Sequence, residues 1–219
     1  PLPSAAHCTL ESLSAAADLD LHWARDIYGH LEAAGQKPVQ RSLAAVNTAV
    51  ARDGLLVNVT GAVAAPIHIH ASSSGQSDST IHHVIKVASG AEVTLIEKFT
   101  ANPHNPGGHI SNLLKVRLGE GARLNRVVLN KCSQSSSLVQ MENFIIGKNA
   151  NLNTVSLHLG SGQSRIESKG VLQGEGANFD YGSVYLGRND QLFDQRTIQV
   201  HEAPHCTSNL LCKNVLCNQ

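Results

Sequence analysis

Aromatic residues make up only 4% of this 219-residue chain and charged residues 16%, against a usual charged share of about 25%. So few aromatics leave scarce platforms for stacking sugar rings. Lys+Arg and Asp+Glu balance at 17 each. Without an excess of either sign there is no electrostatic footprint for nucleic acid or anionic lipid, and neither is expected as a partner. No run of about 18 apolar residues occurs, so no membrane-spanning helix is expected. There is no GxxxxGK[ST] phosphate loop for ATP hydrolysis. Gly160-Ser161-Gly162 lacks the form of a nucleophile elbow. The start, Pro1-Leu2-Pro3-Ser4, has neither a basic nor an apolar stretch, so no secretory signal is expected. The cysteines number 5, with no CxxC pair, and read as free thiols of a reduced, cytoplasmic protein.

What the chain has instead is Ser, Asn, Gln, 18 Gly and 12 His, a polarity that suits turns and half-buried strands. Residues 1–53 read as an N-terminal helical segment and linker, with loose first residues and helices over Asp20–Glu32 and Ser42–Arg52. Residues 54–219 read as the core, where the apolar period changes to two. Its predicted strands are Leu55–Thr60, Ile67–Ala71, His82–Val87, Val93–Phe99, Asn112–Leu118 and Leu124–Asn130. Beyond these come Met141–Ile146, Leu152–Leu159, Gly170–Leu172, Phe179–Leu186 and Thr197–Val200.

These strands recur as a unit: an apolar strand, a tight turn ending in a small residue plus Ala, then a second strand. The small residue falls at Gly90, Gly121, Asn149 and Gly176, in steps of 31, 28 and 27 residues. A strand repeat of nearly constant length predicts stacked coils. The fold expected is therefore mainly β: a parallel β-helix (solenoid), right-handed by the usual crossover rule, with a short helical N-terminal segment. Turn chemistry that returns at a fixed register is a requirement of stacking, and a sandwich of hairpins does not need it.

His68 and His70 alternate on one strand and so share a face, whereas His82 and His83 point to opposite faces. All four are expected at the surface or in a groove. The densest set of soft donors is His201-Glu202-Ala203-Pro204-His205-Cys206. Thiolate and imidazole are the side chains that hold iron or zinc, so His201, His205 and Cys206 are the candidate metal ligands, and His205 and Cys206 the candidate cofactor-binding pair. Neighbours on a strand face opposite ways, so they suit a partial site completed by another coil or chain. Cys212 and Cys217 read as buried, inert thiols. A different class, a polysaccharide-active β-helix enzyme, would need a groove of clustered carboxylates, while Asp180, Asp190 and Asp194 are scattered.

The run Asp190-Gln191-Leu192-Phe193-Asp194-Gln195-Arg196-Thr197 followed by His201-Glu202-Ala203-Pro204-His205-Cys206-Thr207-Ser208 resembles the SufB/SufD family of iron–sulfur cluster assembly proteins, more on the SufD side. Ala45-Val46-Asn47-Thr48-Ala49 before Asp53-Gly54, Gly90–Glu97, and Leu159-Gly160 followed by Ser164-Arg165 support it. The resemblance implies a right-handed parallel β-helix and a non-enzymatic scaffold subunit. It implies SufB as partner through the β-helix and the ATPase SufC through a C-terminal helical region, with room for a homodimer when SufB is absent. It implies no tightly bound cofactor here, only a transient iron–sulfur cluster in the full complex, located in the cytoplasm or, for a plant protein, the plastid stroma. The family's further coils, C-terminal helices and late Cys-Ser-His-Gly stretch are not found before Gln219, so the chain is expected to be a core fragment.

Overall fold

The computed structural model describes residues 6–18, 22–28, 42–73, 78–101 and 107–217. Among these residues thirteen strands and two α-helices follow one another. First come β1 (Cys8–Ser12), α1 (Leu13–Asp18), a 3-10 turn (His22–Ala24) and α2 (Ser42–Val50). Then follow β2 (Leu55–Val59), β3 (Ile67–Ser73), β4 (Ser79–Val87), β5 (Glu92–Ala101), β6 (Gly108–Leu118) and β7 (Arg123–Lys131). The remainder are β8 (Ser136–Ile146), β9 (Asn151–His158), β10 (Gln163–Leu172), β11 (Asn178–Arg188), β12 (Leu192–His201) and β13 (Thr207–Cys217).

Even-numbered strands pair only with even and odd with odd from β2 onward. One sheet runs β1-β2-β4-β6-β8-β10-β12 and the other β13-β11-β9-β7-β5-β3. Every pairing is parallel except β1 with β2. This is the expected solenoid, of about five turns. The repeated corner has a physical basis. Gly90, Gly121, Asn149 and Gly176 all take positive φ (68°, 64°, 53° and 69°). Each donates its N–H to the next coil's corner: Gly90 to Glu120 O, Gly121 to Lys148 O, Asn149 to Glu175 O and Gly176 to Pro204 O, at 2.8–3.2 Å. The Ala that follows each one turns inward and is buried.

Some local expectations change. Cys8–Leu10, read as loose, belong to β1, which pairs antiparallel with β2. The helix expected over Asp20–Glu32 is a 3-10 turn at His22–Ala24 followed by turns to Tyr28, and its other residues lie outside those described. The second helix is α2. There, Asn47 is buried and its Nδ2 donates to Ile81 O (3.2 Å) and Ser111 O (3.1 Å), fixing the helix across β4 and β6. β10 and β12 are much longer than the apolar cores Gly170–Leu172 and Thr197–Val200 suggested. Ladder hydrogen bonds propagate a strand through Ser, Gln and Arg once its neighbour is in place. No described helix is long and apolar enough to cross a membrane.

Candidate functional site

Parallel register turns the interior into columns. One column reads Val59, Val87, Leu118, Ile146, Leu172 and then His201. The inward small-residue column reads Ala91, Ala122, Ala150, Ala177 and then Cys206, whose neighbour Thr207 donates its N–H to Ala177 O at 3.0 Å. The left-handed corner reads Gly90, Gly121, Asn149, Gly176 and then His205, at φ 58°. A third inward column reads Val128, Ser156, Ser183 and then Cys212. Four columns thus change to imidazole or thiol in the coil formed by β12 and β13.

Within that coil the predicted residues occupy different places. His201 closes β12 on the inner side, its imidazole Nε2 2.8 Å from Ser208 Oγ. His205 is exposed at the corner. Cys206 is half-buried against the apolar core, with Sγ 3.2 Å from Gly174 O. No group of three or more His, Cys, Asp or Glu among the described residues is gathered closely enough to hold a metal ion. His201 and Cys206 therefore flank the turn without His205 closing a site between them. Cys212 and Cys217 are exposed, not buried as expected. They lie five residues apart on one strand and so face opposite sides: Cys212 inward, beside Gln195 Oε1 at 3.5 Å, and Cys217 outward.

The other histidines divide. His68 and His70 are exposed on the outer face, His70 Nε2 lying 2.8 Å from Thr100 Oγ1. His82 and His83 do face opposite ways, but both are buried, contrary to the surface expectation. His82 points out of the barrel into the N-terminal segment and stacks on Tyr28 at 4.2 Å. His83 points in and accepts the Leu55 N–H at 3.1 Å. Burial, reinforced by Lys115, pushes His82 well below the usual imidazole range, and burial pushes His83 down to about 4.

Sequence reasoning missed a second feature, a charged cluster inside the solenoid. Arg126 is buried and pairs with Glu97 of β5 and, from Nη1, with Glu142 Oε1 of β8 at 2.7 Å. Burial opposes its charge, yet Glu142 and Glu97 more than offset that and hold its pKa above the ordinary value. Gln140 Nε2 donates to the same Glu142 oxygen at 2.8 Å. Further along the axis His158 stacks on Tyr185 at 4.7 Å, and Tyr185 OH donates to Gln195 Oε1 at 2.6 Å. Burial, then Arg126, lowers His158 to about 4, while burial raises the phenols of Tyr181 and Tyr185. The interior is thus split lengthwise. Aliphatic columns lie beside the Gly-Ala corner, and a polar lane follows that reaches Gln195 and Cys212. In the earlier coils a second apolar cluster of Phe99, Ile110, Val128 and Leu138 lies on the far side of that lane, toward the opposite corner. The signal was present in period two: Arg126 falls between Leu124 and Val128, and Glu97 between Leu95 and Phe99, all at inward positions.

The carboxylates deepest in the barrel are therefore consumed by a cation, and Asp194 is bound by Arg165 at 2.6 Å. What the β12–β13 coil offers instead is a row of soft donors. None of the curated proteins matches the chain. The family model described as "SUF system FeS cluster assembly, SufBD core domain" matches residues 69–219, from β3 through the donor-bearing coil. The chain therefore belongs to the SufBD core-domain family of the SUF iron–sulfur cluster assembly system.

Proposed function

We propose that the protein is a SufD-type scaffold subunit of the SUF machinery that contributes donors to a transient cluster and performs no catalysis itself. The observation that carries this reading is the simultaneous change of four stacked columns in one coil: aliphatic to His201, Gly/Asn to His205, Ala to Cys206 and Ser to Cys212. Thiolate and imidazole are the ligands that iron–sulfur cargo requires. Being spread along one coil instead of gathered, they suit half of a site completed by a second chain. SufB is the partner proposed for that role through the β-helix, and SufC is the proposed source of ATP-driven work, since the sequence contains no phosphate loop of its own. The SufD-like run from Asp190 to Ser208 supports assignment to that branch.

The test is co-expression with SufB and SufC, followed by anaerobic iron and labile-sulfide analysis of the purified complex. Cys206→Ser is expected to lower cluster content while leaving the circular dichroism spectrum unchanged. Wild-type cluster content in that variant, or a complex that never contains the ATPase, would overturn the reading.

A further inference from the structure

The outer faces of the two sheets are treated differently. On the seven-stranded sheet the outward apolar residues Leu56 and Val84 are covered by α1 and the 3-10 turn, and Leu113 and Met141 pack with Ala44 of α2. On the six-stranded sheet alternation sets Ile96, Val127 and Val155 in one outward column, and Leu129, Leu157 and Val184 in the next. Nothing among the described residues covers their centre: Val155 is 54% exposed, Val127 41% and Val184 36%. Columns on one face stand about 7 Å apart and strands about 4.8 Å apart. The patch is therefore about as wide as an α-helix and about three helical turns long.

Its rim is cationic. The Leu129–Leu157–Val184 column continues into Lys98 at one end and Lys213 at the other. Arg123, Lys131 and Arg188 also stand outward and exposed on this face. None of these five cations takes part in an ion pair among the described residues. Acidic groups on the face are Glu92 and Asp180, and Asn178 Nδ2 donates to Asp180 at 2.8 Å. In a chain with 17 charges of each sign, this is a local excess ringing an apolar strip. Large exposed apolar patches with a polar rim mark docking sites.

We propose that the outer face of the six-stranded sheet docks an amphipathic α-helix of a partner protein, one whose apolar stripe is flanked by acidic side chains. The covered sheet shows the packing this fold uses for such a face, and the rim selects the sign of the flanks. The inference rests on this face alone and is independent of the cluster reading.

Two labelled helical peptides of about five turns test it, both with leucines at i, i+3, i+4 and i+7, one flanked by glutamates and the other by lysines. By fluorescence anisotropy at low salt, the glutamate peptide is expected to bind the chain about tenfold more tightly than the lysine peptide, a gap that narrows in high salt. Val155→Asp should abolish binding of both, and the double variant Lys98→Glu/Lys213→Glu should reverse the preference. The latter changes only exposed charges, so it carries the test even where Val155→Asp folds poorly. Equal affinity for the two peptides, or binding indifferent to both variants, overturns the proposal. So does sedimentation showing a dimer that Val155→Asp dissociates, or capture by phosphatidylserine vesicles in place of the acidic peptide, since the occupant would then be a second copy or a membrane.

Discussion

His205 occupies the same left-handed corner as Gly176, one coil further along the stack, at φ 58° against 69°. A side chain in that conformation costs about 1 kcal/mol, which glycine avoids at a similar entropic penalty. His205→Gly should therefore leave stability within about 0.5 kcal/mol, whereas β-branched His205→Val should lose about 1–2 kcal/mol. Urea denaturation of both variants checks this. Because the glycine variant is structurally silent, any loss of cluster content it shows belongs to the imidazole.

Removing the guanidinium from the barrel is expected to be far more damaging. Arg126→Met leaves Glu97 and Glu142 facing each other in the interior without a cation, and should cost about 3–5 kcal/mol. The triple replacement Glu97→Leu/Arg126→Met/Glu142→Leu should recover most of that loss, because no charge is then left buried. Denaturation midpoints of the single and triple variants decide the point. Equal losses would mean that packing volume, and not charge, dominates there.

Acid should destabilise the fold over a defined window. His83 and His158 are held near 4 when folded, against about 6.5 when unfolded. The unfolded chain then binds more protons between those values, so stability is full above pH about 6.5 and falls as pH drops toward 4. Each histidine accounts for roughly 3 kcal/mol across the window. His158→Phe keeps a ring against Tyr185 and removes one titrating group, so its melting temperature should vary less steeply from pH 7 to 4. An unchanged slope would contradict the assignment.

Much of the architecture was legible because stacking forces chemistry to repeat: the positive-φ corner and the inward Ala recur at nearly constant steps, and period two located most strands. The reach of β10 and β12 was not legible, since their outer halves are Ser, Arg, Gln and Asp, held by ladder pairing and not by composition. The exposure of Cys212 and Cys217 was not legible because an apolar neighbourhood in sequence does not fix how much of a strand its neighbours cover. For the site, the donor set was visible, but its spread along one coil depended on knowing which residue takes the corner. Arg126 escaped notice because a charged residue at an inward position is rare unless paired, and its partners lie 29 and 16 residues away.

Thiol reactivity separates the cysteines. Cys212 and Cys217 should react with a maleimide within the mixing time of the experiment and Cys206 more slowly. Cys132, whose thiol burial pushes up to about 11, and buried Cys8 should react only on unfolding. Mass spectrometry of the labelled protein gives the order directly, and fast labelling of Cys132 would contradict its placement.

Glycine contact supplies a last check. A Cβ on Gly174 would lie 2.0 Å from Lys148 N in the coil below, so Gly174→Ala must push two coils apart at a cost of about 3 kcal/mol. The open surroundings of Gly90 make Gly90→Ala milder, limited to the backbone strain of its φ of 68°. The ratio of the two losses, measured by thermal melting, distinguishes a crowded seam from a strained one.

In a rod whose layers touch only their immediate neighbours, damage at a tip should spread layer by layer. The bridge from Glu97 through Arg126 to Glu142 joins three strands drawn from both walls, and so acts as a rivet partway along the shaft. Unravelled from the β13 side, the solenoid should peel in small steps and then halt, the force rising sharply when the peeling front reaches β8.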